Sequence, residues 1–188
     1  FSIGCFISNF SQGFNSSYAI FTINGADSYR CMYSNTTCGS NPSLNGSNLG
    51  TFLIGSSNLI LKGTEHNMYK CAGQDITGSS LFYRIYPTGN ASGSFNSIST
   101  SWISENTTNC GGTNAGKEQR WTNTSANINI LGSLPVGNYT IEIYNQGFGT
   151  SNFYLSNSSN NYKATFTITD TTTWNGTAWD FGVPNTAA

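Results

Sequence analysis

Three segments of the chain alternate between apolar and polar residues, which is the pattern of a β-strand that turns one face to a core and the other to water. They are residues 81–86, 139–144 and 163–169. In the second segment the pattern predicts that Thr140 and Glu142 face solvent. The three inward stripes consist of Leu81, Tyr83 and Ile85, then of Tyr139, Ile141 and Ile143, and finally of Ala164, Phe166 and Ile168.

Six further strands are predicted from weaker alternation between Gly, Asn or Pro turns. Nowhere do apolar residues recur at helical spacing for more than two turns, so no helix is expected. About nine short strands without crossover helices favour an all-β fold, namely an antiparallel two-sheet β-sandwich. The weaker strands are residues 18–23, 50–54, 58–62, 67–71, 94–98 and 126–131.

One local motif indicates the type of sandwich. Leu134 precedes a Pro/Gly turn, and Tyr139 opens the alternating strand that follows. In immunoglobulin-like domains a tyrosine at such a corner ties its hydroxyl to the backbone just upstream. We therefore expect an immunoglobulin- or fibronectin-like sandwich, although an ordinary hairpin that begins with tyrosine would give the same local pattern.

The composition supports one folded domain. A chain of 188 residues is long enough for one β-sandwich with some flanking sequence. Charged residues make up only 8%, but aromatic residues make up 14%, so the side chains of a core are present. The formal net charge is −1 and the seven cations are scattered, which leaves no basic stripe for nucleic acid.

Three regions follow one another along the chain. Residues 1–12 are apolar and uncharged, which is typical of a signal-peptide remnant or of an ordered N-terminal strand, even one donated to a neighbouring chain. Residues 13–169 are predicted to form the β-sandwich domain. Residues 170–188, which include Trp174 and Trp179, are interpreted as a linker or the start of a following module; a tail that caps the sandwich is the alternative. No segment has the roughly 20 apolar residues that span a membrane.

The cysteines favour an oxidising compartment. Apart from Cys5, the chain has four cysteines, an even number that suits two disulfides in an exported domain. A polar reversal separates Cys31 from Cys38, and glycine-containing turns lie beside Cys71 and Cys110, so these two pairs are predicted. A zinc site of four thiolates is the rival interpretation, but no Cys-x-x-Cys knuckle occurs, and no metal is predicted.

Five segments resemble parts of large surface proteins of Bacteroidota (flavobacteria), in which an uncharacterised N-terminal β-domain precedes further β-modules. The likeness extends over most of residues 14–179. It implies export, by the type IX secretion route in many such proteins, and surface display in an adhesin-like role or in a shell or filament. It supplies no catalytic residues. The segments are residues 48–52, 69–73, 83–89, 137–140 and 174–179.

Candidate catalytic residues are few. Glu105 and Glu118 are the carboxylate pair that a glycoside-acting enzyme would use, but loop carboxylates are far more often plain surface groups. His66 lies among polar residues and is predicted to be a surface-turn histidine rather than a general base. No nucleophile elbow, phosphate loop or zinc-protease helix occurs. The sequence therefore predicts a chain that is not an enzyme and takes no cofactor, with a glycoside-acting fragment as the alternative.

Binding residues are predicted in the longest loop, residues 99–121, which is rich in Trp and Asn. Its candidate ligand-binding residues are Trp102, Asn106, Arg120 and Trp121, although both tryptophans would serve equally to fill the core. The predicted function is that of a secreted or cell-surface domain in adhesion or in a surface assembly. Surface glycans or other copies of the chain are its expected partners, and a carbohydrate-binding module that uses this loop is the alternative.

Overall fold

β-Strands joined by turns make up the regular structure of the described part of this chain. The computed structural model describes residues 12–55, 57–71, 75–110, 113–170, 173–174 and 179–180, and none of these lies in a helix. The strands are β1 (Gln12–Ile23), β2 (Ala26–Ser34), β3 (Ser47–Leu53), β4 (Leu59–Lys70), β5 (Ile76–Pro87), β6 (Asn96–Ser99), β7 (Ser101–Cys110), β8 (Thr113–Asn123), β9 (Ile128–Asn129), β10 (Gly137–Gly149), β11 (Phe153–Leu155), β12 (Tyr162–Thr169), β13 (Thr173–Trp174) and β14 (Trp179–Asp180).

Two six-stranded sheets carry the fold. The first sheet has the order β2-β1-β4-β8-β7, and β9 pairs with the start of β4, which β8 does not reach. The second sheet has the order β3-β12-β10-β5-β6, and β11 pairs with the end of β10. A separate two-residue ladder joins β13 to β14. The predicted all-β class is therefore confirmed.

The strand pairing departs from the predicted all-antiparallel arrangement at one edge. β3 lies parallel to β12, with Ser47 opposite Ala164 and Phe52 opposite Ile168, while the other ladders are antiparallel. β3 can take this place because the chain has crossed from the first sheet to the second between β2 and β3. The second sheet is thus mixed.

The main core lies between the two sheets and uses the three predicted stripes. Ile141 and Ile143 are fully buried, and Phe166 and Leu81 pack in the same cluster. Phe21 and Leu61 come to this cluster from the first sheet. The period-two pattern therefore identified the core face of the second sheet correctly. A smaller cluster at one end joins Phe14, Met68, Ile76 and Trp121.

Two predicted strands, residues 58–62 and 67–71, are parts of the single strand β4. Gly63 allows the ladder to continue, because a Cβ at this position would lie 1.7 Å from the carbonyl oxygen of Asn123. A bulge at Lys62 of β4, opposite Ile20 and Phe21 of β1, shifts the register beside Gly63. The length of β4 lets it pair with three other strands.

The prediction of a loop at residues 99–121 is wrong, because these residues form most of the β7–β8 hairpin. This hairpin lies at the edge of the first sheet, where a strand needs no continuous apolar stripe, so its polar sequence resembled a loop. β2 and β11 were also not predicted.

Two local predictions are present in the structure. A disulfide joins Cys31 to Cys38, with 5.8 Å between the Cα atoms. The Tyr139 hydroxyl donates to the carbonyl oxygen of Pro135 at 2.9 Å, as expected for the corner motif. Cys71 is also disulfide-bonded, but the side chain of Cys110 lies outside the described residues, so that pairing stays a prediction.

The predictions for the two ends of the chain fall largely outside the described residues. Residues 1–11, which include Cys5, are not described, and β1 begins at Gln12. Most of residues 171–188 are likewise not described. The signal-peptide, donated-strand and linker interpretations therefore remain predictions.

Candidate ligand-binding face on the second sheet

The outer face of the second sheet carries a ladder of paired side chains on β5 and β10. Phe82 lies opposite Tyr144, and Arg84 lies opposite Glu142. Tyr86 follows on the same face of β5, because residues two apart share a face. In the predicted sandwich this face would meet water.

The prediction that Thr140 and Glu142 are exposed to solvent is wrong, since Thr140 is only 6% accessible and Glu142 only 3%. Glu142 Oε2 accepts hydrogen bonds from Arg84 Nε at 3.1 Å, from Arg84 Nη2 at 2.9 Å and from the Tyr86 hydroxyl at 2.8 Å. Its Oε1 accepts a hydrogen bond from Asn161 Nδ2 at 2.6 Å. Side chains from β5 and from the β11–β12 loop therefore cover Glu142, which the alternating pattern of β10 predicts to face solvent.

The electrostatics of this cluster keep the carboxylate ionised. Burial opposes the ionisation of Glu142, but hydrogen bonds from Asn161, Tyr86 and Arg84 outweigh it and lower its pKa. Burial and the hydrogen bond to Glu142 raise the pKa of Tyr86 to about 12. Tyr86 therefore remains a hydrogen-bond donor at neutral pH.

Aromatic rings extend the ladder beyond the ion pair. Phe82 and Tyr144 are stacked with ring centroids 4.8 Å apart and an interplanar angle of 1°. Phe95 meets Tyr144 edge to face at 4.9 Å, and the Arg84 guanidinium lies 4.6 Å from the Phe95 ring centroid. These contacts hold the Tyr144 ring in a fixed position.

A first cleft lies at one end of this ladder, and we call it the tyrosine cleft. It has a volume of about 280 Å³. Tyr154 is 59% exposed, and the pKa of Tyr144 is raised by burial and by the neighbouring Tyr154 hydroxyl. Its lining consists of Tyr144, Tyr154, Ser156, Ser159 and Asn161.

The β11–β12 loop that borders the tyrosine cleft has an unusual backbone. Asn157, Ser158, Ser159 and Asn161 all have positive φ angles, between 46° and 69°. Asn161 N–H donates to the carbonyl oxygen of Ser156 at 2.8 Å, which holds this conformation. Left-handed non-glycine residues cost energy and cluster at ligand sites, so the loop is a preformed wall of the cleft.

A second cleft lies at the other end of the ladder, and we call it the lysine cleft. It has a volume of about 470 Å³, within the usual range for small-ligand sites. Lys163 is the one charged side chain among its lining residues. They are Asn45, Gly46, Ser47, Tyr86, Gly89, Ala91, Thr140, Lys163 and Thr165.

The Cys31–Cys38 disulfide positions one wall of the lysine cleft. After Cys38 the chain folds back toward Cys31. There the carbonyl oxygen of Cys31 accepts a hydrogen bond from Leu44 N–H at 2.8 Å. Leu44 is fully buried in the core. Asn45 and Gly46 follow it directly, so the disulfide-linked loop fixes where these cleft residues lie.

The four residues predicted as ligand-binding do not share one surface. Trp102 lies at the sheet edge and is 54% exposed, whereas Trp121 is 8% exposed and donates its Nε1–H to Gln119 Oε1 at 3.0 Å. Asn106 and Arg120 are exposed, and the register places them on the other face of the hairpin from Trp121. Arg120 pairs with Glu65 at 2.6 Å.

Glu105 and Glu118, the candidate carboxylate pair, point to opposite faces of the hairpin. Glu105 lies opposite Gln119 and accepts its Nε2–H at 2.7 Å. Glu118 is the neighbour of Gln119 on β8, so it faces the other way, and it accepts a hydrogen bond from Asn15 at 2.9 Å. The structure does not bring the two carboxylates together across one site.

The prediction that His66 lies in a surface turn is wrong, since this residue is fully buried in β4. The Thr64 hydroxyl donates to the carbonyl oxygen of Tyr18, and His66 Nε2 shares a hydrogen bond with Thr64 Oγ1 at 2.7 Å. His66 Nδ1 shares a hydrogen bond with Ser79 Oγ at 3.0 Å, which links the two sheets. Burial lowers the pKa of His66 to about 3.

The Ser79–His66 contact has the spacing of a nucleophile and its base, but it lies inside the core. Ser79 is only 2% exposed, so a substrate cannot reach its hydroxyl. The contact therefore acts as a polar connection between β4 and β5.

The described ranges contain no group of three or more His, Cys, Asp or Glu side chains placed to hold a metal ion. They also contain no helix with the length and apolar character needed to cross a bilayer.

Comparisons with known proteins give no relative from which a role could be transferred. No protein-family model, no curated protein and no solved structure matches this chain.

Sequence reasoning missed the residues that line both clefts. One signal was present for the tyrosine cleft, because residues 156–161 form a run of Asn and Ser, and Asn readily adopts the left-handed conformation found there. No local signal marked Lys163, which occupies an ordinary outward position of an alternating strand.

Proposed function

We propose that this chain is a non-catalytic, secreted or cell-surface β-sandwich domain that acts in adhesion by binding carbohydrate on the outer face of the second sheet. The observation that carries the proposal is the position of Glu142 between the two clefts. Its Oε2 holds Tyr86 of the lysine cleft, and its Oε1 holds Asn161 of the tyrosine cleft. Both clefts are thereby ordered before a ligand arrives, which reduces the entropy lost on binding.

The lining of the tyrosine cleft suits a sugar. Tyr144 and Tyr154 offer aromatic surface that can cover the C–H face of a sugar ring. Asn161, Ser156 and Ser159 add amide and hydroxyl groups that match sugar hydroxyls. Few polar groups placed around an apolar patch are the usual composition of a small-ligand site.

The compartment and the finer fold type belong to the same proposal. The Cys31–Cys38 disulfide supports an oxidising environment, such as the cell exterior. The Tyr139–Pro135 hydrogen bond supports an immunoglobulin- or fibronectin-like sandwich. The resemblance to flavobacterial surface proteins supports display on a cell surface.

The test is a broad glycan array probed with the purified chain and with Tyr154→Ala. We expect binding to a limited set of glycans and a loss of about tenfold or more in affinity for Tyr154→Ala. Tyr33→Ala, which removes a partly exposed tyrosine from the first sheet, should bind normally. An array without hits contradicts the proposal, and so does a loss caused by Trp102→Ala but not by Tyr154→Ala, which would favour the β7–β8 hairpin.

A second candidate function is self-assembly through β7. This strand is an edge of the first sheet, and Trp102 and Ile103 on it are 54% and 46% exposed. Exposed apolar edge strands can pair with another chain. Light scattering at increasing protein concentration tests this candidate, because a strictly monomeric chain excludes it and a Trp102→Lys change should dissociate any oligomer.

A further inference from the structure

We infer that the carbohydrate recognised by this face carries an anionic group, a carboxylate or a sulfate, that Lys163 and Asn45 bind in the lysine cleft. The inference rests on the proposed function and names the ligand class of the same site. Three features of the lysine cleft support it: the state of Lys163, the orientation of Asn45 and the distance to the tyrosine cleft.

Lys163 has no counter-charge within the described residues. Five of the seven Lys and Arg side chains form ion pairs, and the exceptions are Lys163 and Arg30, which lies on the first sheet. Glu142 lies directly opposite Lys163 in the β10–β12 ladder and would be its natural partner.

Glu142, however, is already occupied. Two nitrogens of Arg84 and the Tyr86 hydroxyl bind its Oε2, and Asn161 binds its Oε1. The carboxylate of Glu142 is therefore already hydrogen-bonded to other residues. Lys163 remains exposed on the wall of the lysine cleft. A cation kept unpaired in a cleft is suited to an anion that comes from the ligand.

Asn45 is oriented to donate to the same anion. Its Oδ1 accepts the backbone N–H of Lys163 at 3.2 Å. Because the oxygen is held by the protein, the Nδ2 amino group is the part of the amide left to face the cleft. An ammonium and an amide N–H₂ on neighbouring residues of one wall form a donor pair for carboxylate or sulfate oxygens.

The two clefts lie too far apart for a single sugar ring. Thr140 of the lysine cleft and Tyr144 of the tyrosine cleft are on the same face of β10, four residues and about 13 Å apart. The tyrosine cleft has no charged side chain in its lining. The expected ligand is therefore an oligosaccharide in which a neutral ring packs on the tyrosines and an acidic residue reaches Lys163.

The experiment is isothermal titration calorimetry with three soluble ligands: a uronic-acid oligosaccharide, its carboxyl-reduced form and a sulfated oligosaccharide of the same backbone. We expect the chain to bind at least one acidic ligand about tenfold or more tightly than the neutral form, with an affinity that falls as salt is added. Lys163→Gln should abolish this preference, so that the acidic ligand binds no more tightly than the neutral one. Lys117→Gln, which removes an exposed cation of the first sheet, should retain the preference.

The outcomes separate this inference from the proposed function. Equal affinity for acidic and neutral ligands, or a preference that survives in Lys163→Gln, overturns the inference and leaves carbohydrate binding intact. Binding of the acidic ligands by Tyr154→Ala as tightly as by the unchanged chain means that the two clefts are not used together, which also overturns it. No binding of any carbohydrate overturns the proposed function as well.

Discussion

Arg84 donates two hydrogen bonds, from Nε and from Nη2, to the same carboxylate oxygen of Glu142. The arginine side chain is 22% exposed and the glutamate side chain only 4%, so the pair is neither a surface salt bridge nor a fully buried one. Because the second carboxylate oxygen accepts a hydrogen bond from Asn161, a substitution at Glu142 should alter both clefts.

Glu142→Gln should destabilise the fold and weaken ligand binding at once. The amide cannot accept all four hydrogen bonds and leaves Arg84 without its counter-charge, which we expect to lower the free energy of unfolding by about 2 kcal/mol, less than for a fully buried pair. Urea unfolding measures this loss. Glu65→Gln, which breaks the exposed pair with Arg120, should cost under about 1 kcal/mol. An equal effect of both changes would mean that Glu142 has no special role.

His66 should make the fold sensitive to mild acid. Its pKa is about 3 in the folded state and near 6.5 when unfolded. Between these values the unfolded chain binds a proton that the folded chain does not, so stability is full above pH 6.5 and decreases as the pH falls. From pH 7 to pH 5 the expected loss is about 2 kcal/mol, in a range where carboxylates titrate little.

This pH effect can be assigned because the chain has one histidine. NMR of the folded chain should show one set of imidazole resonances, which does not move between pH 7 and pH 5. Urea unfolding at the two pH values gives the stability change, and His66→Gln should remove it. A histidine resonance that titrates near pH 6.5 would contradict the buried, neutral state.

Tyr139→Phe should remove the corner hydrogen bond while keeping the ring in the core. The Tyr139 ring stacks with Phe166 at 5.5 Å, and its hydroxyl donates to the carbonyl oxygen of Pro135. We expect a loss of about 1 kcal/mol in the free energy of unfolding, because one hydrogen bond is lost and the packing is kept. Tyr154→Phe, which changes an exposed tyrosine, is the matched control and should be neutral.

Replacing Cys31 and Cys38 with serine should lower both stability and affinity. The loop that they close is short, with a sequence separation of 7, so the chain-entropy estimate is about 2–3 kcal/mol. Acidic oligosaccharides should also bind more weakly, because Asn45 and Gly46 lose a fixed position. Substitution is preferable to a reducing agent here, since Cys71 is disulfide-bonded too. Unchanged affinity would show that the disulfide does not position the cleft.

The core side of the second sheet could be predicted from the sequence, whereas its outer side could not. The stripe Tyr139, Ile141 and Ile143 is buried as the period-two pattern predicts. The same pattern assigns Glu142 to water, because it contains no information about Arg84 or Asn161, which lie 58 and 19 residues away in the chain. Which outward residues become covered depends on the long-range contacts of the β11–β12 loop.

The exposure of individual aromatic residues could not be predicted from the sequence either. Trp121 lies in a polar stretch and appeared available for a ligand, but the first sheet turns it toward Phe14 and Met68. Tyr154 appeared unremarkable, yet it is the more exposed ring and lies at a cleft. The composition indicated that aromatic residues would be involved, but it did not indicate which tryptophan or tyrosine would be exposed.

The parallel pairing of β3 with β12 has a consequence for the order of folding. Phe52 and Thr169 are hydrogen-bonded although 117 residues separate them. During synthesis or translocation β3 emerges long before its partner strand, and until then its backbone groups have no sheet to join. Closure of the second sheet is therefore a late event, and nascent chains that stall before β12 should be the species that chaperones retain and proteases remove.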